Sequence, residues 1–279
     1  RGAGDGLVGG ICVGIGGAIG DGRQIRGEGS TSICDFDDEE KHHKHSVEAA
    51  ITHFEHGGKH FHVIDCPGYP DLIGQTLGSL QAVENAVIVV DAHAGVKVNT
   101  RRVWREASEA GLGKIILLTK MDADNVDFTG LISDIREIFG DACVPVNVPM
   151  GVGPDFQGVI STLDVPENTD GCVLDADEVK QLNETLIETI IETDEAAMER
   201  YFEGEVPSAD QCAGLMRKAI TEGTLVPILC LSTQTGGGVP ELLDFLAATA
   251  LSPIAIPRKG IRDGSEFPTP PDPNGPLAA

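Results

Sequence analysis

The chain has 279 residues, 41% hydrophobic and 23% charged, enough for one large domain or two small ones with real cores. Its 20 lysines and arginines against 44 aspartates and glutamates give a net charge of -24, which argues against broad electrostatic binding of nucleic acid and leaves only a local basic patch for any RNA contact. No apolar run approaches the roughly 18 residues of a membrane helix, and the first residues lack the basic-then-apolar order of a secretory signal. Seven cysteines without Cys-x-x-Cys spacing indicate neither a zinc site nor a disulfide framework, and suit a reducing cytoplasm. The first residue is Arg1 and not Met, so the start of the protein is expected upstream.

Residues 1–30 hold twelve of the 35 glycines. Within them Leu7, Val8, Ile11, Cys12 and Ile15 fall at helical spacing. Gly9, Gly10, Gly14 and Gly16 would weaken that helix by some 4 kcal/mol at about 1 kcal/mol each, so it is expected to persist only through packing. Residues 20–46, with the acidic run from Asp35 to Glu40, read as a loop. Residues 47–56 and 60–64 read as strands joined at Gly57-Gly58, a hairpin signal.

A helix follows over 71–85, then a buried strand over 86–90 ending in Asp91. A helix near 100–110 precedes the strand Ile115-Ile116-Leu117-Leu118, and another covers about 126–139. Alternating strands and helices predict an α/β fold with a mostly parallel sheet. The segment from 143 to 225 differs in character. It opens with short Val- and Pro-rich pieces, continues into one long helix over 177–201 and ends with a helix over 209–222, as an inserted α/β subdomain would. A strand over 226–231 and a helix over 239–249 close the fold. From 251 onward, prolines and polar residues predict a linker without a fold of its own. The expected organisation is therefore 1–142 with 226–250 as the main domain, 143–225 as the insertion and 251–279 as the linker.

Two strand ends carry the chemistry. Val63-Ile64 runs into Asp65-Cys66-Pro67-Gly68-Tyr69, an apolar strand delivering a carboxylate and a Pro-Gly turn to the edge where α/β proteins bind ligands. About 50 residues on, the Ile115 strand ends in Thr119-Lys120-Met121-Asp122. Each pattern is weak by itself; together, each at a strand end, they resemble the third and fourth signature motifs of GTP-binding proteins.

On these residues the chain resembles the GTP-binding domain of elongation factor G, most of all its divergent bacterial paralogues, which carry Tyr after the Pro-Gly. The resemblance implies a P-loop GTPase fold and a translational GTPase that takes GTP or GDP with magnesium and works on the ribosome, through rRNA and ribosomal proteins, in translocation. It implies a cytoplasmic monomer with no membrane or DNA partner. The family's Asn-Lys-x-Asp motif is matched by Thr119, Lys120, Met121 and Asp122, except at its first residue. The base-contacting loop corresponds to Cys230-Leu231-Ser232, and the tail from Asp272 to Pro276 to the approach to a following domain. In this reading Asp122 accepts two N–H bonds from the guanine edge, which adenine cannot offer. Lys120 packs over the base. Asp65 reaches magnesium through water, and Gly68 brings its N–H to the γ-phosphate. Ser46 stands at the magnesium-binding position of the first switch loop, or is simply a surface serine.

Two departures stand out. A phosphate loop reads Gly-x-x-x-x-Gly-Lys-[Ser/Thr] after the first strand. Ungapped alignment instead finds Gly2-Ala3-Gly4-Asp5-Gly6-Leu7, with Asp5 at the Lys and Gly6 at the magnesium ligand. The first strand would then lie upstream of Arg1, leaving a central gap in the sheet. The water-positioning His after Pro-Gly is replaced by Tyr69, the candidate catalytic residue. These departures keep open a second reading, a ribosome-associated binding module with a degenerate GTP site. Seven of the eight histidines lie between 42 and 62: His42, His43, His45, His53, His56, His60 and His62. Their spacing repeats no known zinc signature, so the plainer reading is a solvated loop and a polar sheet face.

Overall fold

The computed structural model describes residues 7–15, 33–43, 45–205, 207–253, 259–262 and 264–269. Runs of apolar residues form the middle of a seven-stranded sheet in the order β2-β3-β1-β4-β5-β9-β6. These strands are β1 (Leu7–Ile15), β2 (Ala50–His56), β3 (Lys59–Cys66), β4 (Asn85–Asp91), β5 (Gly113–Thr119), β6 (Cys143–Pro145) and β9 (Val226–Cys230). All neighbours pair parallel except the hairpin β2–β3, which turns at Gly57 and Gly58, both with positive φ.

Continuous apolar runs are needed where both faces of a parallel sheet are covered. Here Val87, Val89, Ile115, Leu117 and Leu229 enter one core, with helices α5 (Ala176–Ile191), α7 (Ala209–Glu222) and α8 (Val239–Thr249). Val90, Ile116, Leu118, Ile228 and Cys230 enter the opposite core, against α4 (Phe128–Phe139). Helices α2 (Ile73–Leu80) and α3 (Val98–Glu109) cover the β3 and β4 end of that second face. Among the described residues no helix is long and apolar enough to cross a membrane.

Four expectations are corrected. Leu7–Ile15 is a strand and not a helix, and it fills the central place between β3 and β4 that the sequence reading left as a gap. Its glycines penalise a helix, its Val and Ile residues favour extended backbone, and hydrogen bonding on both edges supplies what local propensity lacks. Cys143–Pro145, expected to open the insertion, is the edge strand of the main sheet, paired with β9. The long helix of that segment is two, α5 and α6 (Glu195–Phe202), because the Asp194 carboxylate accepts the Ala197 N–H and caps a new start. The proline-rich tail contains an antiparallel hairpin, Lys259–Arg262 with Ser265–Pro268, turned at Gly264 with φ 77°.

Two buried asparagines tie distant segments to the sheet. Asn85, fully buried at the start of β4, donates from Nδ2 to Leu251 O at 3.1 Å and accepts the Leu251 N–H at 3.0 Å. Asn147, in β7 (Asn147–Met150), accepts the Cys230 N–H at 2.7 Å. Asn85→Ala is expected to lower stability by about 2 kcal/mol, because both Leu251 backbone groups lose buried partners. Urea unfolding checks this, as a lower midpoint at unchanged slope.

Candidate functional site

The parallel strands all end at one edge of the sheet. From β1 the chain reaches β3 on one side and later β4 on the other, a reversal of strand order that opens a crevice at the carboxyl ends. Asp65, Asp91, Thr119 and Cys230 stand at the ends of β3, β4, β5 and β9, so the two signature segments and the loop after β9 share that edge.

The Thr119 to Asp122 turn is held from several sides. Lys120 takes φ 60°, a left-handed conformation unusual outside glycine. Its Nζ lies 2.9 Å from Asp91 Oδ2. The Asp91 carboxylate also accepts the N–H groups of His93 at 3.0 Å and Ala94 at 3.1 Å. Burial pushes this carboxyl up, but the Lys120 hydrogen bond, the two backbone N–H groups and the Lys120 charge outweigh it and hold Asp91 below the usual carboxylate range. Met121 donates its N–H to Leu231 O at 3.3 Å, coupling this turn to the loop after β9. Asp122 is half-buried on the same turn, and the Ala123 N–H bonds back to Lys120 O at 3.0 Å.

Within the β9 loop Ser232 is fully buried, and its Oγ accepts the N–H groups of Gln234 and Thr235, each at 3.2 Å. The side chain expected to meet a base is thus committed to shaping the loop. Gly238 closes the loop at φ 84°, where a Cβ would stand 2.4 Å from Cys230 O. Gly238→Ala is expected to cost about 2 kcal/mol and to displace the Ser232 loop; a thermal melt and the amide shifts of residues 232–237 test this.

Asp65 is buried at the end of β3, in register with Ala50 and with Val13 of β1. The turn beyond it is braced by Asn99, whose Nδ2 donates to Gly68 O at 3.0 Å, and by Thr76, whose hydroxyl reaches Pro67 O at 3.5 Å. Cys66 and Met121 have fully buried side chains packed in cores, so neither side chain faces a ligand. The half-buried Tyr69 ring packs on His45, with centroids 4.3 Å apart.

That contact brings the segment before β2 against the Pro-Gly turn. The segment is organised by two buried acids. Ser46 Oγ donates to Asp35 Oδ1 at 2.7 Å. Glu40, in the short helix α1 (Asp38–His43), accepts the N–H groups of Val47 at 2.9 Å, Glu48 at 3.2 Å and Asp37 at 3.2 Å.

Some expected site residues are not brought here. Leu7 opens β1 in register with His60, at the opposite end of β3 from Asp65, and so belongs to the wrong edge of the sheet. Gly2, Ala3, Gly4, Asp5 and Gly6 lie outside the described residues. In sequence they precede β1, whereas a phosphate loop must follow the first strand. Conversely, sequence reasoning passed over Asp91 and Asn99. The one available signal was an apolar strand ending in an acid; nothing local marks Asn99. A groove of about 380 Å³ between α4 and α5 is lined by none of Asp65, Asp91, Lys120, Asp122 and Ser232.

A doubly covered parallel sheet, with Asp-x-Pro-Gly and Lys-x-Asp turns on one carboxyl edge, defines a P-loop GTPase-like protein. The chain belongs to the elongation factor Tu GTP binding domain family, whose model matches residues 7–252. Among curated relatives it is 32% identical over 263 residues to elongation factor G of Fervidobacterium nodosum, covering 89% of this chain and 38% of that protein. It is 30% identical over 244 residues to the elongation factor G-like protein of Thermotoga maritima, covering 85% of this chain and 36% of that one. A crystal structure from Thermus thermophilus superposes with a TM-score of 0.77 at 26% identity, over 88% of this chain and 41% of that one. The chain therefore spans less than two-fifths of the length of these curated relatives.

Proposed function

We propose that this chain is the guanine-nucleotide-binding part of a translational GTPase that binds the ribosome and promotes translocation. The observation that carries the proposal is the shared carboxyl edge. The Asp91–Lys120 pair and Asp122 lie there, joined to the Ser232 loop by the Met121 to Leu231 hydrogen bond, and Asp65 stands on the same edge at the end of β3.

In this reading Asp122 accepts the guanine N1 and N2 hydrogens, and Lys120, fixed by Asp91, lies along the base. Gly68 presents backbone to the terminal phosphate, its carbonyl anchored by Asn99. Ser46 and Asp65 supply oxygen, the donor type magnesium takes. Ser46 uses its hydrogen on Asp35, which leaves its lone pairs for a cation. Magnesium would supply charge neutralisation at the phosphates. Tyr69 would hold the attacking water through its phenol. Whole-ribosome contacts rest on the likeness to elongation-factor-G proteins alone.

A second reading, a ribosome-associated module that does not turn over GTP, is favoured by a specific observation. The chain contains no Gly-x-x-x-x-Gly-Lys-[Ser/Thr] stretch, and Tyr69 stands where the family has His. Calorimetric titration of the 279-residue chain with GTP, GDP and ATP, with and without magnesium, tests the main reading. Equal affinity for ATP and GTP, or no binding of either, overturns it. GTP binding without turnover in the presence of ribosomes selects the second reading.

A further inference from the structure

The histidines around 42–62 find no use in the nucleotide reading. On α1 three groups converge. One ligand atom each of Glu39, His42 and His43 all lie within 4.8 Å of one another, on the exposed side of the helix. Spacings of three and four residues put Glu39 on the same surface as both imidazoles. His43 Nε2 already sits 3.3 Å from Glu39 Oε2, and the His42 and His43 rings meet edge to face with centroids 4.8 Å apart. Lys41, the lysine of this helix, turns instead toward Asp38, with Nζ 3.6 Å from Oδ1. Its ammonium is therefore directed to a carboxylate other than that of Glu39.

We infer that Glu39, His42 and His43 form a binding site for a borderline-soft divalent cation, with zinc as its probe. Two imidazole nitrogens and a carboxylate oxygen are the three-ligand set zinc accepts, leaving a fourth position for water from the open side. The scaffold is prepared for it. Glu40, the buried residue of α1, fastens the helix to the Val47 and Glu48 backbone, and Asp37 Oδ1 accepts the Glu39 N–H at 2.9 Å. Holding the ligands on a braced element reduces the ordering cost of binding. The chain's net charge of -24 favours any cation.

A second histidine group supplies the internal control. His53, His60 and His62 share the outer face of the β2–β3 hairpin, with ring centroids 4.7 to 6.4 Å apart. Among the described residues, their rings do not bring three ligand atoms into the same close set that α1 does.

The test is zinc titration of the tag-free 279-residue chain near neutral pH, by calorimetry and by competition with a chromogenic chelator. One equivalent is expected to bind with a Kd on the order of 10 µM. The double variant His42→Ala with His43→Ala is expected to lose that equivalent. Glu39→Gln should weaken it about tenfold, and His53→Ala with His62→Ala should keep it. The three α1 side chains are exposed, and circular dichroism verifies that each variant folds. Zinc should also raise the melting temperature of the parent chain and not that of the α1 double variant. No binding below about 1 mM overturns the site, as does an equivalent that survives loss of His42 and His43 or one that disappears with His53 and His62.

Discussion

Asp122→Asn is expected to weaken GTP by roughly a hundredfold to a thousandfold while improving xanthosine triphosphate. A carboxylate facing the guanine edge accepts two N–H bonds, each charge-assisted and worth about 1.5–3 kcal/mol. An amide there keeps one acceptor and turns a donor toward the guanine amino group, so one bond is lost and a repulsion appears. A net cost of about 3–4 kcal/mol gives the stated range. Xanthine carries a carbonyl where guanine has the amino group, and the new amide donates to it. The backbone of the turn should be unaffected, because Asp122 lies between a Met121 N–H bonded to Leu231 O and an Ala123 N–H bonded to Lys120 O. Competitive displacement of a fluorescent guanine nucleotide by the two triphosphates measures the exchange. Unchanged preference for GTP in the variant would show that another residue reads the base.

Lys120→Met is expected to lower stability by about 3 kcal/mol at neutral pH, beyond any effect on ligand. Removing one partner of an ion pair strands the other, and the penalty for a buried pair is about 3–5 kcal/mol. The lower end applies because Lys120 is partly open to solvent while Asp91 is nearly enclosed. The sign of the pH dependence follows from Asp91. Its folded carboxyl is held below the ordinary value, so its contribution is fully present above that ordinary value, about 3.9, and is lost as pH falls through the lower folded value. The variant lacks the ammonium and its hydrogen bond, so its Asp91 carboxyl lies higher than in the parent. The stability gap between parent and variant should thus be widest near neutrality and shrink on acidification below about pH 4. Urea midpoints across that range measure it. A gap that stays constant or widens in acid would mean that Asp91 is not what Lys120 stabilises.

Much of the fold was legible because β4, β5 and β9 are buried on both faces. Double burial demands uninterrupted apolar residues, and such runs announce themselves without a partner in view. The motif turns were legible for the same reason, since the abrupt change from Leu118 to Thr119-Lys120, or from Ile64 to Asp65, marks where a strand leaves the core. The order of helices and strands then sufficed for an α/β parallel sheet, and Asp-x-Pro-Gly with Lys-x-Asp for the family that residues 7–252 match.

What the sequence could not decide was anything whose energy comes from a distant partner. Leu7–Ile15 satisfies both a helical and an extended pattern, and its glycines favour neither; pairing with β3 on one edge and β4 on the other selects the strand. That choice moved Leu7 to the far edge of the sheet and set Gly2 to Gly6 ahead of the first strand. The Asp91–Lys120 pair joins the ends of different strands, and it forms only because parallel register sets Asp91 beside Thr119. The commitment of Ser232 to its own loop, and of the Cys66 and Met121 side chains to the cores, depends on which way each backbone turn faces. Local residue types determined the strands and the chemistry available at their ends; long-range pairing decided which of those groups meet, because a hydrogen bond or ion pair between residues far apart in the chain leaves no periodicity in either one's neighbourhood.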